Sequence, residues 1–240
     1  MVNLLKKLFP RISVAGEPPP EPLAEFTMAA ALSRVARRGV SFKTIIDVGA
    51  SDGRWADLAL SAFPGKECLL LEANAVHEAS LRLFCSNRVD CRYQLIAAGG
   101  HDGHLYFDAS DPMGGQASQL EDDNHALAVS CRSIDTLVKE LQLAGPFLIK
   151  LDTHGYEKPI LKGAQETLRH TNVVVIECYL FNVAEDALRL PEMCKYMESQ
   201  GFRCIDMADP MLRKLDGAWW QVDLVFLRST DEAFDSDAYE

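Results

Sequence analysis

The chain has 240 residues, 48% of them hydrophobic and 25% charged. That excludes global disorder and suits one large α/β domain or two small ones. Its 24 basic against 35 acidic side chains leave a formal charge of −11, which argues against nucleic acid as a partner, because such binding needs clustered Lys and Arg. No window reaches the roughly 18 apolar residues of a membrane span, and the short apolar start around Lys6 and Lys7 lacks the form of a secretory signal, so a cytoplasmic protein is expected. The seven cysteines include no C-x-x-C pair and read as buried free thiols.

Residues 1–22 read as an N-terminal extension ending in a stiff linker that holds Pro18, Pro19, Pro20 and Pro22. The main domain is expected over 23–228, followed by an acidic tail at 229–240 with five acids and no base, solvated and frayed. A first helix is expected over 23–38, with Arg34, Arg37 and Arg38 near its C-terminus, where cations suit the helix dipole. From there apolar runs alternate with helical patterns, the signature of a mostly parallel sheet between helices. Strands are expected at 44–49, 67–72, 92–98, 147–152, 172–178, 202–207 and 219–227. The helices between them fall at 54–63, 75–87, 133–143, 157–169 and 189–200. Residues 100–132 form an insertion with a hairpin strand from His104 to Asp108 and a polar loop from Asp111 to Asn124. Loops of that length are usually functional, and Met113, Gly114, Gly115, Ser118 and Gln119 are candidates for an acceptor-side lid.

Three strand tips carry the chemistry. The run Asp47-Val48-Gly49-Ala50-Ser51-Asp52-Gly53 leads a buried strand into a glycine turn and a helix start, where backbone can approach a nucleotide-like ligand closely. Its G-x-x-x-G spacing is not a diphosphate fingerprint, and Asp47 and Asp52 favour a cationic ligand over an anionic one. Glu72 ends the next strand 19 residues after Gly53, the position from which a carboxylate accepts both ribose hydroxyls. An alternative is that Glu72 complements the dipole of the following helix. The third tip, Lys150-Leu151-Asp152-Thr153-His154-Gly155-Tyr156-Glu157, delivers polar groups where open α/β sheets keep their sites. Asp152 or Thr153 could instead cap the next helix.

Together with Leu161-Lys162-Gly163-Ala164, these segments resemble the FkbM family of S-adenosylmethionine-dependent methyltransferases over about residues 42–227. The resemblance implies a Rossmann-like seven-stranded sheet, mostly parallel with the last strand antiparallel and helices on both faces. It implies O-methylation of a hydroxyl on a sugar, glycan or secondary-metabolite-like acceptor. By the same resemblance Asp47, Gly49, Ala50 and Gly53, with Asp52 in the same turn, bind the methionine and ribose part of the cofactor. Glu72 with Ala73 and Asn74 holds the ribose, Ala97 and Ala98 flank the adenine, and Asp152 completes the site. Two departures stand out: Gly99-Gly100-His101-Asp102-Gly103 where the family often has an acid soon after the third strand, and His154 where it more often has Gln or an acid.

Methyl transfer to oxygen needs alignment and removal of a proton. His154, Asp152 and Lys150 are the catalytic candidates, since a histidine can accept a proton near neutrality and the other two share its strand tip. Glu177 is a further acid expected to line the pocket. Asp152, His154, Glu157 and Glu177 could ligate Mg²⁺, but strand-tip carboxylates more often act without metal, and none is expected. Two rivals remain: a degenerate domain that binds the cofactor without turnover, and a nicotinamide oxidoreductase, which the missing diphosphate motif disfavours. Trp219 and Trp220 fit the core better than a homodimer contact.

Overall fold

The computed structural model describes residues 24–239 apart from 112–113 and 123–125. The extension and linker expected over 1–22, and Met113 of the expected lid, lie outside the described residues.

Continuous apolar runs make the centre of the sheet. Strands β1 (Thr44–Val48) and β8 (Phe147–Leu151) are buried at every position, as expected of parallel strands covered on both faces. With β2 (Glu67–Glu72), β3 (Cys91–Leu95), β9 (Thr171–Tyr179), β10 (Phe202–Leu212) and β11 (Trp219–Arg228) they form a seven-stranded sheet in the order β10-β11-β9-β8-β1-β2-β3. The pairs β8–β9, β1–β8, β1–β2 and β2–β3 are parallel. The last strand, β11, is antiparallel to both β10 and β9.

Helices cover both faces. Helices α1 (Met28–Arg37), α2 (Arg54–Ala62) and α3 (Glu78–Ser86) bring Leu32, Val35, Ala56, Ala59 and Leu81 to Ile45, Leu70 and Val175 on one face. On the other face, α4 (Ile134–Glu140), α5 (Glu157–Lys162), α6 (Gln165–Arg169) and α7 (Leu190–Ser199) bring Leu137, Ile160, Leu168 and Met197 to Ile46, Ile149 and Val174. The alternation of strand residues between two cores is the period-two pattern of a pleated sheet. Helix α4 is capped by the Ser133 hydroxyl, which accepts the Thr136 N–H at 3.1 Å. Ser133→Ala is expected to lower stability by about 1 kcal/mol in chemical denaturation, the usual loss for a side-chain cap.

Several expected elements differ, each for a physical reason. The strand expected over 92–98 divides: β3 stays in the main sheet, and β4 (Ala97–Ala98) turns into a second sheet ordered β4-β7-β5-β6. That sheet, with β5 (Gly103–Asp108), β6 (Gln116–Ser118) and β7 (Leu127–Arg132), replaces the single hairpin strand expected in the insertion. The helix expected over 157–169 breaks into α5 and α6 at Gly163, where a Cβ would lie 2.1 Å from the Gly99 carbonyl oxygen. The acidic tail is not simply frayed: Asp231 caps a short turn, and Phe234 lies under the Arg203 guanidinium. Only Cys68, Cys131 and Cys178 are buried; Cys204 is exposed and the other three are half-buried. Trp219 is exposed, not in the core, and half-buried Trp220 stacks on Phe181.

Candidate functional site

The carboxyl ends of β1, β2, β8 and β9 open on a cavity of about 360 Å³ that reaches the edge of the second sheet, within the size range of small-molecule sites. Gly49 makes the close approach possible: its φ is +77°, and a Cβ there would stand 1.9 Å from the Asp152 carbonyl oxygen. The turn is tied to both neighbours, with the Gly49 N–H donating to Leu71 O at 2.9 Å and the Asp152 N–H to Val48 O at 3.0 Å.

Glu72 stands at the tip of β2, 7% exposed, and lines the cavity. Each of its oxygens accepts one backbone N–H, from Ser51 and from Asn74, both at 2.7 Å. The carboxylate is therefore fixed in orientation while each oxygen keeps a further lone pair. Ala73, Asn74, Ile96, Ala97, Ala98, Tyr156 and Ile160 also line the cavity.

The opposite end is polar. The side chains of Lys150, Asp152 and Glu177 lie on one face of adjacent strands, because Lys150 pairs in register with Val175 and two residues further on each strand restores the same face. His154 joins them from a tight turn in which it has φ +51°, a conformation costly for a residue with a side chain and characteristic of functional turns. Its Nδ1 meets the Gly115 carbonyl oxygen at 3.1 Å. A carbonyl only accepts, so Nδ1 carries the proton. Nε2 then faces Asp152 Oδ1 at 3.5 Å and Glu177 Oε2 at 3.7 Å.

Lys150 is buried beneath these groups, with Nζ at 2.8 Å from Asp223 and 3.4 Å from Asp152. Burial alone would pull its ammonium down, but the Asp152 and Asp223 carboxylates outweigh that and hold it above its ordinary value. Burial also acts against the Asp152 carboxylate, yet Lys150 prevails and keeps it low. Glu177 is pushed up to about 9, by burial first and by the Asp152 charge second. Both Glu177 oxygens have donors, Tyr179 on Oε2 and Gln221 on Oε1. Asp47 lies deeper and is pushed up to about 7 by burial, with Lys150 opposing; its Oδ2 has no hydrogen-bond partner.

Of the residues expected from sequence, Gly49, Glu72, Ala73, Asn74, Ala97, Ala98, Asp152, His154 and Glu177 line the one cavity. Asp47, Ala50, Gly53 and Lys150 stand behind the wall. Gly53 packs against the Phe84 ring, and the Asp52 side chain turns away to pair with Arg54 at 2.7 Å. Glu157, expected among metal-ligating groups, is withdrawn: its Oε1 accepts from the Thr153 and Gly155 N–H groups and the Thr153 hydroxyl, clamping the His154 turn. Asp102 is likewise engaged elsewhere, on Ser133 and Thr136 at the start of α4. In the expected lid, Gly115 lines the cavity, while Ser118 and Gln119 line a neighbouring one bounded by Lys158 and Lys162. Sequence reasoning missed Ser51, Tyr156, Tyr179, Met211 and Gln221 on the cavity wall. Tyr179 was open to inference, since it directly follows the strand expected over 172–178 that carries Glu177.

Among the described residues no helix is long and apolar enough to cross a membrane. A family model described as the methyltransferase FkbM domain matches residues 47–204, well over half of the chain. No curated protein matches. Among solved structures, a putative O-methyltransferase from Klebsiella pneumoniae aligns with TM-score 0.49 and 14% identity over 94% of each chain. A precorrin-6y C5,15-methyltransferase from Geobacter metallireducens GS-15 aligns with TM-score 0.47 and 12% identity over 84% of this chain and 87% of that one. A putative RNA methyltransferase from Pyrococcus horikoshii gives 0.46 and 13% over 83% and 82%. The sheet is the Rossmann-like methyltransferase sheet, the matched segment spans the tips of β1, β2, β8 and β9 around the cavity, and the chain accordingly belongs to the FkbM family of methyltransferases, with S-adenosylmethionine as its cofactor.

Proposed function

We propose that the chain transfers a methyl group to a hydroxyl oxygen of a small, carbohydrate-like acceptor, and that Asp152 and His154 withdraw the hydroxyl proton. The observation that carries this reading is the meeting of Asp152 Oδ1 and His154 Nε2, 3.5 Å apart, on the cavity wall. Both are acceptor atoms, and a wall of acceptors suits a substrate that arrives with an O–H to give. When bound, S-adenosylmethionine supplies an electrophilic methyl carbon that a lone pair takes in line.

The residues present suit that cofactor. Glu72, fixed by two backbone N–H groups, offers its remaining lone pairs to a ribose diol. Gly49 lets the turn close on the Asp152 backbone and lines the cavity at the place for the amino-acid portion, and Ala97 and Ala98 make a small-residue wall for the adenine beside Ala73 and Asn74. Asp47, with its unpartnered oxygen, can offer negative charge to a cationic ligand, whereas Asp52 is engaged by Arg54. Ala50 and Gly53 shape the turn from behind. From β2 to β9 there are three strand spacings, about 14 Å. A ribose held at Glu72 and a methyl presented near Asp152 and Glu177 fit that span. Lys150 is a positioning residue that holds Asp152 ionised and in place.

Two measurements test this. His154→Ala is expected to lower kcat by about 10²- to 10⁴-fold, the usual contribution of proton withdrawal, while affinity for S-adenosylhomocysteine by calorimetry changes less than about twofold. An acceptor panel of free saccharides, glycosides and amines, followed by mass spectrometry, should show methyl on oxygen. Unchanged kcat in the variant, or methyl found on nitrogen, would overturn the reading.

A further inference from the structure

We infer that Asp152, His154 and Glu177 form a binding site for one divalent metal cation, with its open side on the cavity. This rests on the hydroxyl-acceptor reading above and sharpens it, and it departs from the sequence expectation of no metal. One ligand atom from each residue lies within 4.8 Å of the other two. Two of the separations are 3.5 and 3.7 Å. Metal bonds of about 2.1 Å place ligand atoms roughly 3.0 Å apart in octahedral and 3.4 Å apart in tetrahedral geometry, so the two separations from His154 lie within a few tenths of an ångström of the tetrahedral value.

Three further observations point to a cation there. The Gly115 carbonyl fixes the proton on His154 Nδ1, so the Nε2 lone pair is directed toward two carboxylate oxygens with no hydrogen of its own to offer. A metal ion accepts from all three. The charges are also unbalanced: Asp152 and Asp223 carry two negative charges against the single Lys150 ammonium, and a divalent cation with Glu177 ionised as its ligand leaves the cluster neutral. Finally, the ligands are held as metal ligands are held, by a second layer of hydrogen bonds. Tyr179 and Gln221 donate to Glu177, Gly115 orients His154, and Lys150 holds Asp152.

Three protein ligands and an open position on a cavity describe a catalytic metal site, not a structural one. An acceptor hydroxyl on the open side is acidified by the ion and releases its proton to cavity water. Asp152 and His154, with their lone pairs engaged by the ion, then act on the acceptor oxygen through it in place of taking the proton directly. One imidazole and two carboxylates suit Mg²⁺, Mn²⁺ or Zn²⁺. Mn²⁺ is the probe to use, because the seven cysteines compete for softer ions.

The test is titration of the full chain, freed of metal by chelation, with Mn²⁺, following loss of the free-ion signal by electron paramagnetic resonance. One ion per chain at micromolar affinity is expected, weakened at least tenfold by Glu177→Gln and by His154→Ala. S-adenosylhomocysteine binding in both variants, measured by calorimetry, certifies that they are folded. No binding up to millimolar Mn²⁺, or binding that both folded variants retain, would falsify the site. Methyl transfer to oxygen at full rate in excess chelator also overturns it and leaves the hydroxyl-acceptor reading standing. Mn²⁺ binding that the variants lose, combined with methyl found only on nitrogen, keeps the site and removes the acceptor reading.

Discussion

Glu72→Ala is expected to weaken binding of S-adenosylhomocysteine roughly 10²- to 10³-fold, the loss of two hydrogen bonds to a charged acceptor at about 1.5–3 kcal/mol each, partly recovered by water. The size of the effect follows from the fixed state of this side chain. It is 7% exposed, and the Ser51 and Asn74 N–H groups each hold one of its oxygens at 2.7 Å, so little ordering remains to be done when a diol arrives. Glu72→Gln should be nearly as severe. An amide presents one oxygen and one NH₂, and whichever way it turns, the NH₂ meets a backbone N–H that needs an acceptor. Calorimetry with S-adenosylhomocysteine and with homocysteine alone checks the assignment: the variants should lose affinity for the first and bind the second as the parent chain does. Equal affinity of parent and variants for S-adenosylhomocysteine would remove Glu72 from the ribose.

The sequence made the main sheet legible because its strands are continuous apolar runs, a pattern that parallel packing between two helix layers demands. The tips were legible for a related reason. Asp47, Glu72, Asp152 and Glu177 each follow such a run, and buried carboxyl groups at strand ends are placements a chain does not make for solubility. Elements that depend on partners distant in sequence were not legible. The break between α5 and α6 comes from the approach of Gly163 to the Gly99 carbonyl, and within residues 157–169 the glycine alone marks a weak point without showing what it meets. The second sheet escaped notice because β4 has two residues and β5 and β7 are half-exposed, leaving little hydrophobic pattern to read.

The polar end of the site shows the same division. That Asp152 and Glu177 share a face follows from strand register, which a sequence reading can reach by aligning the ends of adjacent apolar runs. The direction of the His154 ring does not. It depends on the Gly115 carbonyl and on the Gln116 side chain, which donates to the His154 and Val183 carbonyl oxygens at 3.3 and 3.2 Å. Both residues come from the insertion, so Gly115 and Gln116 of the expected lid segment help to set the His154 turn at this end. Asp52 illustrates the opposite error. It sits in the most informative motif of the chain, yet its side chain faces solvent and Arg54, because a residue in a turn is free to point away from the backbone's ligand.

Lys150→Met should be the most destabilising of the substitutions considered, by about 3–5 kcal/mol at neutral pH, the range for removing one member of a buried ion pair. Methionine nearly matches the stem in volume, so packing is not the source of the loss. What remains is charge: Lys150 is 1% exposed and balances Asp223 at 2.8 Å and Asp152 at 3.4 Å, and its removal leaves those carboxylates beside Asp47 and Glu177 without a cation. The pH dependence has a definite sign. In the parent chain Asp47 and Glu177 are already pushed up, to about 7 and about 9, by burial before any other cause. Without Lys150 the surrounding carboxyl groups hold protons more tightly folded than unfolded. Stability of that origin is fully present below the unfolded carboxyl range and is lost as pH rises through the folded values. The deficit of the variant relative to the parent should thus shrink toward pH 5 and widen above pH 8, measured as the difference in unfolding free energy by urea denaturation. A deficit that does not change with pH would mean that the lysine acts through packing, and would leave Asp152 without the electrostatic support its position requires.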